Sequence, residues 1–427
     1  MSWPRSFRLS EQGLEIIRKE IERRKKNNQS RNDFYFEWVE KAIEIRPKAR
    51  LTPFSDTTVK RFLRKEPIKV EGYMALCEAI GIYYRTVTDW KSSGIDEEEF
   101  VSNPWENTLL ENENTLTGHA DSVGSIALSP NEKTLASGSY DGQIKIWDLE
   151  KRKVKCSFKA HEKDVSCVVF SSEEELISGS YDGKIKNWNL RTQEVKWTLP
   201  QEEFGPNPYA IESMSLSPNG EYLFINSYES EQIRIWYLPK EIKQVGSLSK
   251  HTGGVMCLAM SPNGRILVSG GKDNKVYFWE VPFKDNQPPQ YYEDWKSFPE
   301  SESLEQHSDW VTSLAISPNN KILASGGKDG EIYLWNLNPG GTVIKKLEKH
   351  SKAVLSLAFS PDGQTLASAS YSQTIKIHNW RKSNVIQTLE TYPSYTQCLV
   401  FSQHSQRLFS SNSQGNICAW KPSSINQ

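Results

Sequence analysis

Long apolar runs are missing from this chain of 427 residues; none approaches the roughly 18 residues a membrane-spanning helix requires. The opening MSWPRSFRLSEQ also lacks the apolar core of a secretion signal, so no membrane partner and a cytoplasmic location are expected. Cysteine is scarce. The six present (Cys77, Cys156, Cys167, Cys257, Cys398 and Cys418) never form a CxxC, which excludes zinc-ribbon and redox-pair spacings and leaves reduced thiols. Neither sign of charge dominates, with 52 Lys+Arg against 53 Asp+Glu. Catalytic and cofactor signatures fail in turn: there is no G-x-x-x-x-G-K-[ST], G-x-S-x-G, H-E-x-x-H, G-x-G-x-x-G or calcium loop. No cofactor, no metal and no enzymatic activity are expected, and a hydrolase built from scattered groups is the catalytic alternative.

Charge is unevenly spread. Residues 1–90 hold 19 basic and 13 acidic side chains, leaving 33 and 40 for the remainder. Beyond that basic front, one segment recurs. LTGHADSVGSIALSPNEKTLASGSYDGQIKIWDL, starting at Leu116, returns as HEKDVSCVVFSS…LISGSYDGKIKNWNL, HTGGVMCLAMSPNGRILVSGGKDNKVYFWEV, HSDWVTSLAISPNNKILASGGKDGEIYLWNL and HSKAVLSLAFSPDGQTLASASYSQTIKIHNW. Two looser copies lie around PYAIESMSLSPNGEYLFINSYESEQIRIWYL and from Tyr392 to Pro422. Apolar alternation broken by SPNG and YDG turns gives four short antiparallel strands per copy, and a period of about 40 to 45 residues signals a propeller.

These residues resemble the WD-repeat family, with its Gly-His near the start of each repeat, an Asp in the turn between the second and third strands, and a closing Trp-Asp. The resemblance implies a mainly β fold, a seven-bladed propeller over residues 107–427, and a buried hydrogen-bonded tetrad in each complete blade. Carried over by position, the tetrads are His119, Ser137, Asp141 and Trp147; His161, Ser178, Asp182 and Trp188; His251, Ser269, Asp273 and Trp279; and His307, Ser325, Asp329 and Trp335. Repetition of the His/Asp pair in blade after blade is what packing needs and catalysis does not. The sixth copy keeps His350 but has Ser372 and His378 at the Asp and Trp places; the third offers Asn207, Glu229 and Trp236, and the seventh Tyr392, Gln414 and Trp420. The chain ends after the third strand of the last copy, so residues 107–117 are expected to supply its outer strand and remove an exposed edge.

The residue before each turn Asp projects from the face that carries those turns, here called the top. Tyr140, Tyr181, Tyr228, Lys272, Lys328 and Tyr371 are therefore expected to form a ring, joined by Trp310 and Tyr395. Such a ring fits a non-enzymatic interaction scaffold whose partner is a protein or peptide with an acidic group.

Residues 1–92 read as a small all-α domain, with residues 93–106 as linker. Leu14, Ile17 and Ile21 stripe a basic amphipathic helix, and FSDTTVKRFLRKEPIKVEGYMALCEAIGI resembles the recognition helix of lambda-repressor-like domains. That resemblance implies a DNA-binding alternative in which Thr57, Lys60, Arg61 and Arg64 face a major groove and Lys65 meets phosphate. Similar front domains precede WD repeats in bacterial signalling proteins, which points to a bacterial source.

Overall fold

The computed structural model describes residues 109–199, 210–239, 242–281, 296–297, 306–337, 342–402 and 406–423. The chain divides into two units, Met1–Phe100 and Val101–Gln427, and every described residue belongs to the second. The expected helical domain, Thr57, Lys60, Arg61, Arg64 and Lys65 with it, lies outside the described residues.

The second unit is seven four-stranded antiparallel sheets. Blade 1 runs from its innermost strand Val123–Leu128 through Thr134–Ser139 and Gln143–Asp148 to the outer Lys153–Lys159. The innermost strands of blades 2 to 7 are Val165–Phe170, Ile211–Leu216, Val255–Met260, Val311–Ile316, Val354–Phe359 and Thr396–Phe401. Each packs against the innermost strand of the next blade, and that of blade 7 packs against that of blade 1. The sheets therefore close into a ring around a central channel.

Burial follows position in the blade. The second strand is buried along nearly its whole length, and its side chains are accordingly mostly small, as in TLASGS. The outer strand KVKCSFK alternates between solvent and blade. Apolar clusters sit between blades rather than within one: Ala136, Ile144 and Ile146 of blade 1 pack with Val165, Phe170, Leu176 and Trp188 of blade 2. Glycine is needed at the seam, because a Cβ on Gly326 would stand 2.5 Å from Val354 Cγ1 of the next blade.

Ring closure is made by Leu110–Leu116, which pairs antiparallel with Ile417–Pro422 and completes blade 7. Leu116 then joins Val123, Leu135, Trp147, Phe409 and Ile417 in the cluster between the last blade and the first. Glu113, at the register shift of the closing strand, accepts Arg407 Nε at 2.6 Å and Arg152 Nη2 at 2.7 Å. One carboxylate thus ties the strand to blades 7 and 1 together. On the bottom face each SPN turn is locked locally; Asn131 Oδ1 accepts from Ser129 Oγ at 2.9 Å and from the Lys133 amide at 2.9 Å.

Candidate functional site

Four blades carry the same chain of side-chain hydrogen bonds. In blade 1 the Trp147 indole donates to Ser137 Oγ at 2.8 Å, Ser137 Oγ meets His119 Nε2 at 2.8 Å, and His119 Nδ1 meets Asp141 Oδ2 at 3.0 Å. Trp188, Ser178, His161 and Asp182 repeat it at 2.8, 2.8 and 3.0 Å. Trp279, Ser269, His251 and Asp273 do so at 2.9, 2.8 and 2.9 Å, and Trp335, Ser325, His307 and Asp329 at 2.8, 2.8 and 3.1 Å.

The protonation states are consistent. Burial pushes the imidazoles of His119 and His161 down, only partly offset by their aspartates. Burial also works against ionising Asp182, but His161 and the backbone amides of Lys184 and Glu162 hold it down to about 2. A neutral imidazole donating from Nδ1 to a carboxylate then accepts the serine hydroxyl at Nε2, and the serine accepts the indole. These His/Asp pairs hold the turn that presents the top face.

The other three blades differ. In blade 6, Ser368 Oγ lies 2.8 Å from both His350 Nε2 and His378 Nε2, so a second imidazole stands where the indole does elsewhere. Ser372 Oγ reaches His350 Nδ1 only at 3.5 Å. In blade 7 Trp420 donates to Ser410 Oγ at 2.8 Å, while Tyr392 is 79% exposed and outside the network. Blade 3 has Ile225 at the serine position, fully buried in an apolar cluster with Trp236. Its Asn207 lies outside the described residues. Ser368 and Ser410 were readable from the repeat register, since SASYS and SSNSQ align with SGSYD.

Above these networks the ring side chains meet in three groups. Tyr140 and Tyr181 have ring centroids 6.3 Å apart. Lys272 Nζ lies 4.1 Å from the centroid of Tyr228 and 4.8 Å from that of Trp310, whose other neighbour is Lys328 Nζ at 4.0 Å. Tyr371 and Tyr395 pack at 4.7 Å. Burial pushes the Tyr140 phenol up to about 12, and Tyr371, Glu212 and Tyr395 add to it. A Cβ on Gly124, in the innermost strand of blade 1, would stand 2.7 Å from Tyr140 Cε1, so the phenol ring lies against the strand that lines the channel. Tyr228 and Tyr371 remain 42% and 43% exposed, so the ring faces solvent.

Sequence reading missed two features. The third residue of the innermost strand bridges blades in four of them: Ser125 Oγ accepts the Val168 amide at 3.1 Å and Ser356 Oγ the Leu399 amide at 3.0 Å, while Cys257 Sγ reaches Val311 O at 3.5 Å and Cys398 Sγ Ile126 O at 4.0 Å. The small cysteines and serines there do more than fit. The second is Glu212, a carboxylate inside the ring with its pKa raised by burial. Among the described residues no group of three or more His, Cys, Asp or Glu is arranged to hold a metal ion, and no helix is long and apolar enough to cross a membrane.

Architecture and site together define a seven-bladed β-propeller with an aromatic and cationic ring on one face. Residues 110–148, 152–189, 242–280, 299–336 and 341–379 match the model of the WD domain, G-beta repeat, so these five stretches are WD40 repeats. The stretches left unmatched contain most of blades 3 and 7, which have neither the histidine nor the aspartate of the other blades.

Striatin-4 of Homo sapiens is 28% identical over 222 residues, 50% of this chain and 28% of the relative. Transducin-like enhancer protein 2 of Mus musculus is 29% identical over 222 residues, 52% and 26%. Nuclear distribution protein nudF of Emericella nidulans is 28% identical over 281 residues, 54% and 63%. The chain thus spans less than two thirds of the length of each. All three sources are eukaryotic, and the expected bacterial source finds no support among them.

Proposed function

We propose that the protein is a non-enzymatic interaction scaffold that binds a protein or peptide partner on the top face of its propeller. One observation supports the reading: Tyr140 with Tyr181, Tyr228 with Lys272, Trp310 and Lys328, and Tyr371 with Tyr395 make three contact groups, each spanning neighbouring blades at the turns of one face. Large aromatic side chains clustered at the centre of a patch are the types that dominate binding energy. The ammonium groups of Lys272 and Lys328, both over the Trp310 ring, suit an acidic group on the partner that pairs with them. The front segment serves as a second, adaptor contact in this reading, and the location is cytoplasmic.

The test is a partner recovered with the full chain and then titrated against single variants. Tyr181→Ala and Tyr371→Ala are each expected to weaken binding by about tenfold or more, the range of aromatic anchors. Asn131→Ala, in a bottom-face turn, is expected to leave affinity unchanged. A bottom-face effect with silent top-face variants would move the site to the other surface.

A further inference from the structure

The second residue of every innermost strand lies at a register shift, between Val123 and Ser125 in blade 1 and between Ile211 and Ser213 in blade 3, with the same break in the other five. A bulge of this kind re-aims the side chain it carries. Six blades place an uncharged residue there: Gly124, Ser166, Met256, Thr312, Leu355 and Gln397. Blade 3 alone places an acid, Glu212.

The carboxylate is at the channel. It sits on the innermost strand of blade 3, which packs against the innermost strands of blades 2 and 4; burial raises the phenols of Tyr140 and Tyr181 and the thiol of Cys257, and the carboxylate adds to each. Its strand begins beside the turn that carries Tyr228, whose amide donates to Ala210 O at 2.7 Å, so the carboxylate lies just beneath the ring. Its Oε2 is enclosed and has no hydrogen-bond partner among the described residues. Lys272 does not supply one, since its ammonium lies over Tyr228 and Trp310.

A buried carboxylate oxygen left unbonded is destabilising, and the uncharged residues of the other blades show that the strand itself does not need it. A cation arriving from outside removes that penalty. A planar guanidinium fits best, because it meets a carboxylate with two parallel N–H groups and lies flat against aromatic rings, as an ammonium does not. We propose that Glu212 receives an arginine side chain of the partner peptide, held against Tyr140 and Tyr181 at the channel mouth. This rests on the top-face reading and gives it a specificity: one arginine in the channel, with the acidic group on Lys272 and Lys328 beside it.

The probe is a random peptide display library selected on the full-length protein. Selected peptides are expected to share an arginine, and its replacement by citrulline, which keeps the shape and removes the charge, is expected to weaken binding by about tenfold or more. Glu212→Gln is expected to abolish the difference between arginine and citrulline while leaving the melting temperature equal or higher, since an unbonded buried charge is removed. Peptides that lose binding in Trp310→Ala yet ignore citrulline would overturn the arginine site and leave the top face standing. No selected peptide, or peptides indifferent to Trp310→Ala as well, would overturn both. Lysine binding as well as arginine would overturn the guanidinium assignment, and a clear fall in the melting temperature of Glu212→Gln would assign the carboxylate a structural role instead.

Discussion

Blades 1, 2, 4 and 5 hold the complete Trp–Ser–His–Asp chain, whereas blades 3, 6 and 7 hold parts of it or none. The difference identifies the serine as the hub. Ser368 keeps its place with an imidazole on either side, and Ser410 keeps its indole with neither histidine nor aspartate. Where Ile225 replaces the hub, the polar chain gives way to apolar packing around Trp236. A blade is therefore fastened either by a polar chain that fixes the top-face turn or by its apolar seam, and blade 3, fastened by its seam, is also the blade that holds a charge in the channel.

The largest effect is expected from opening the ring. A chain beginning at Thr117 loses the strand Leu110–Leu116 and the Glu113 clamp, exposing the edge of Ile417–Pro422. It is expected to be poorly soluble and to melt without a cooperative transition, while one beginning near Asn103 folds. Equal melting temperatures would show that blade 7 holds without its fourth strand.

Acid separates the blades next. Burial pushes His350 down to about 4 and His378 to about 3, from the ordinary 6.5. Because both pKa values are depressed in the folded state, the contribution of these imidazoles is full above pH 6.5 and is lost as pH falls towards those values. Urea midpoints are expected to fall over that window, and less steeply in His378→Trp, which removes one titrating ring and restores an indole donor to Ser368. Identical pH slopes would mean that blade 6 does not limit acid stability.

Within the polar chains, Asp141→Ala is expected to cost about 1.5 to 3 kcal/mol, the range for a hydrogen bond to a charged group, and Ser372→Ala well under 1 kcal/mol. Similar losses in denaturant titrations would erase the distinction between complete and partial blades. The smallest effect is expected for Cys398→Ser, under about 1 kcal/mol, because serine already bridges blades at Ser125 and Ser356. A larger loss would show that the thiol's apolar packing, not its size, holds that seam.

Much of the propeller was legible because a ring of like blades must repeat its sequence. His119, Ser137, Asp141 and Trp147 could be counted from one copy to the next, and so could the tyrosines before the turns. Glu113 and Glu212 escaped for one physical reason: both lie at register shifts, where alternation says nothing about direction. Where the copies diverge, in blade 3, register alone aligned Glu229 with the turn aspartates, although its backbone has φ of +61° and the loop is one residue longer. The basic front, with its proposed DNA-facing residues, lies outside the described structure.

The division of labour between buried chain and exposed ring is tested most directly by measuring stability and affinity together in Asp141→Ala and Trp310→Ala. Asp141→Ala is expected to lower the melting temperature while the folded fraction binds the partner with unchanged affinity. Trp310→Ala is expected to melt as the native chain does and to bind about tenfold or more weakly. If both variants lost stability and affinity in proportion, fold and binding would rest on the same residues, and the ring would not be a separate site.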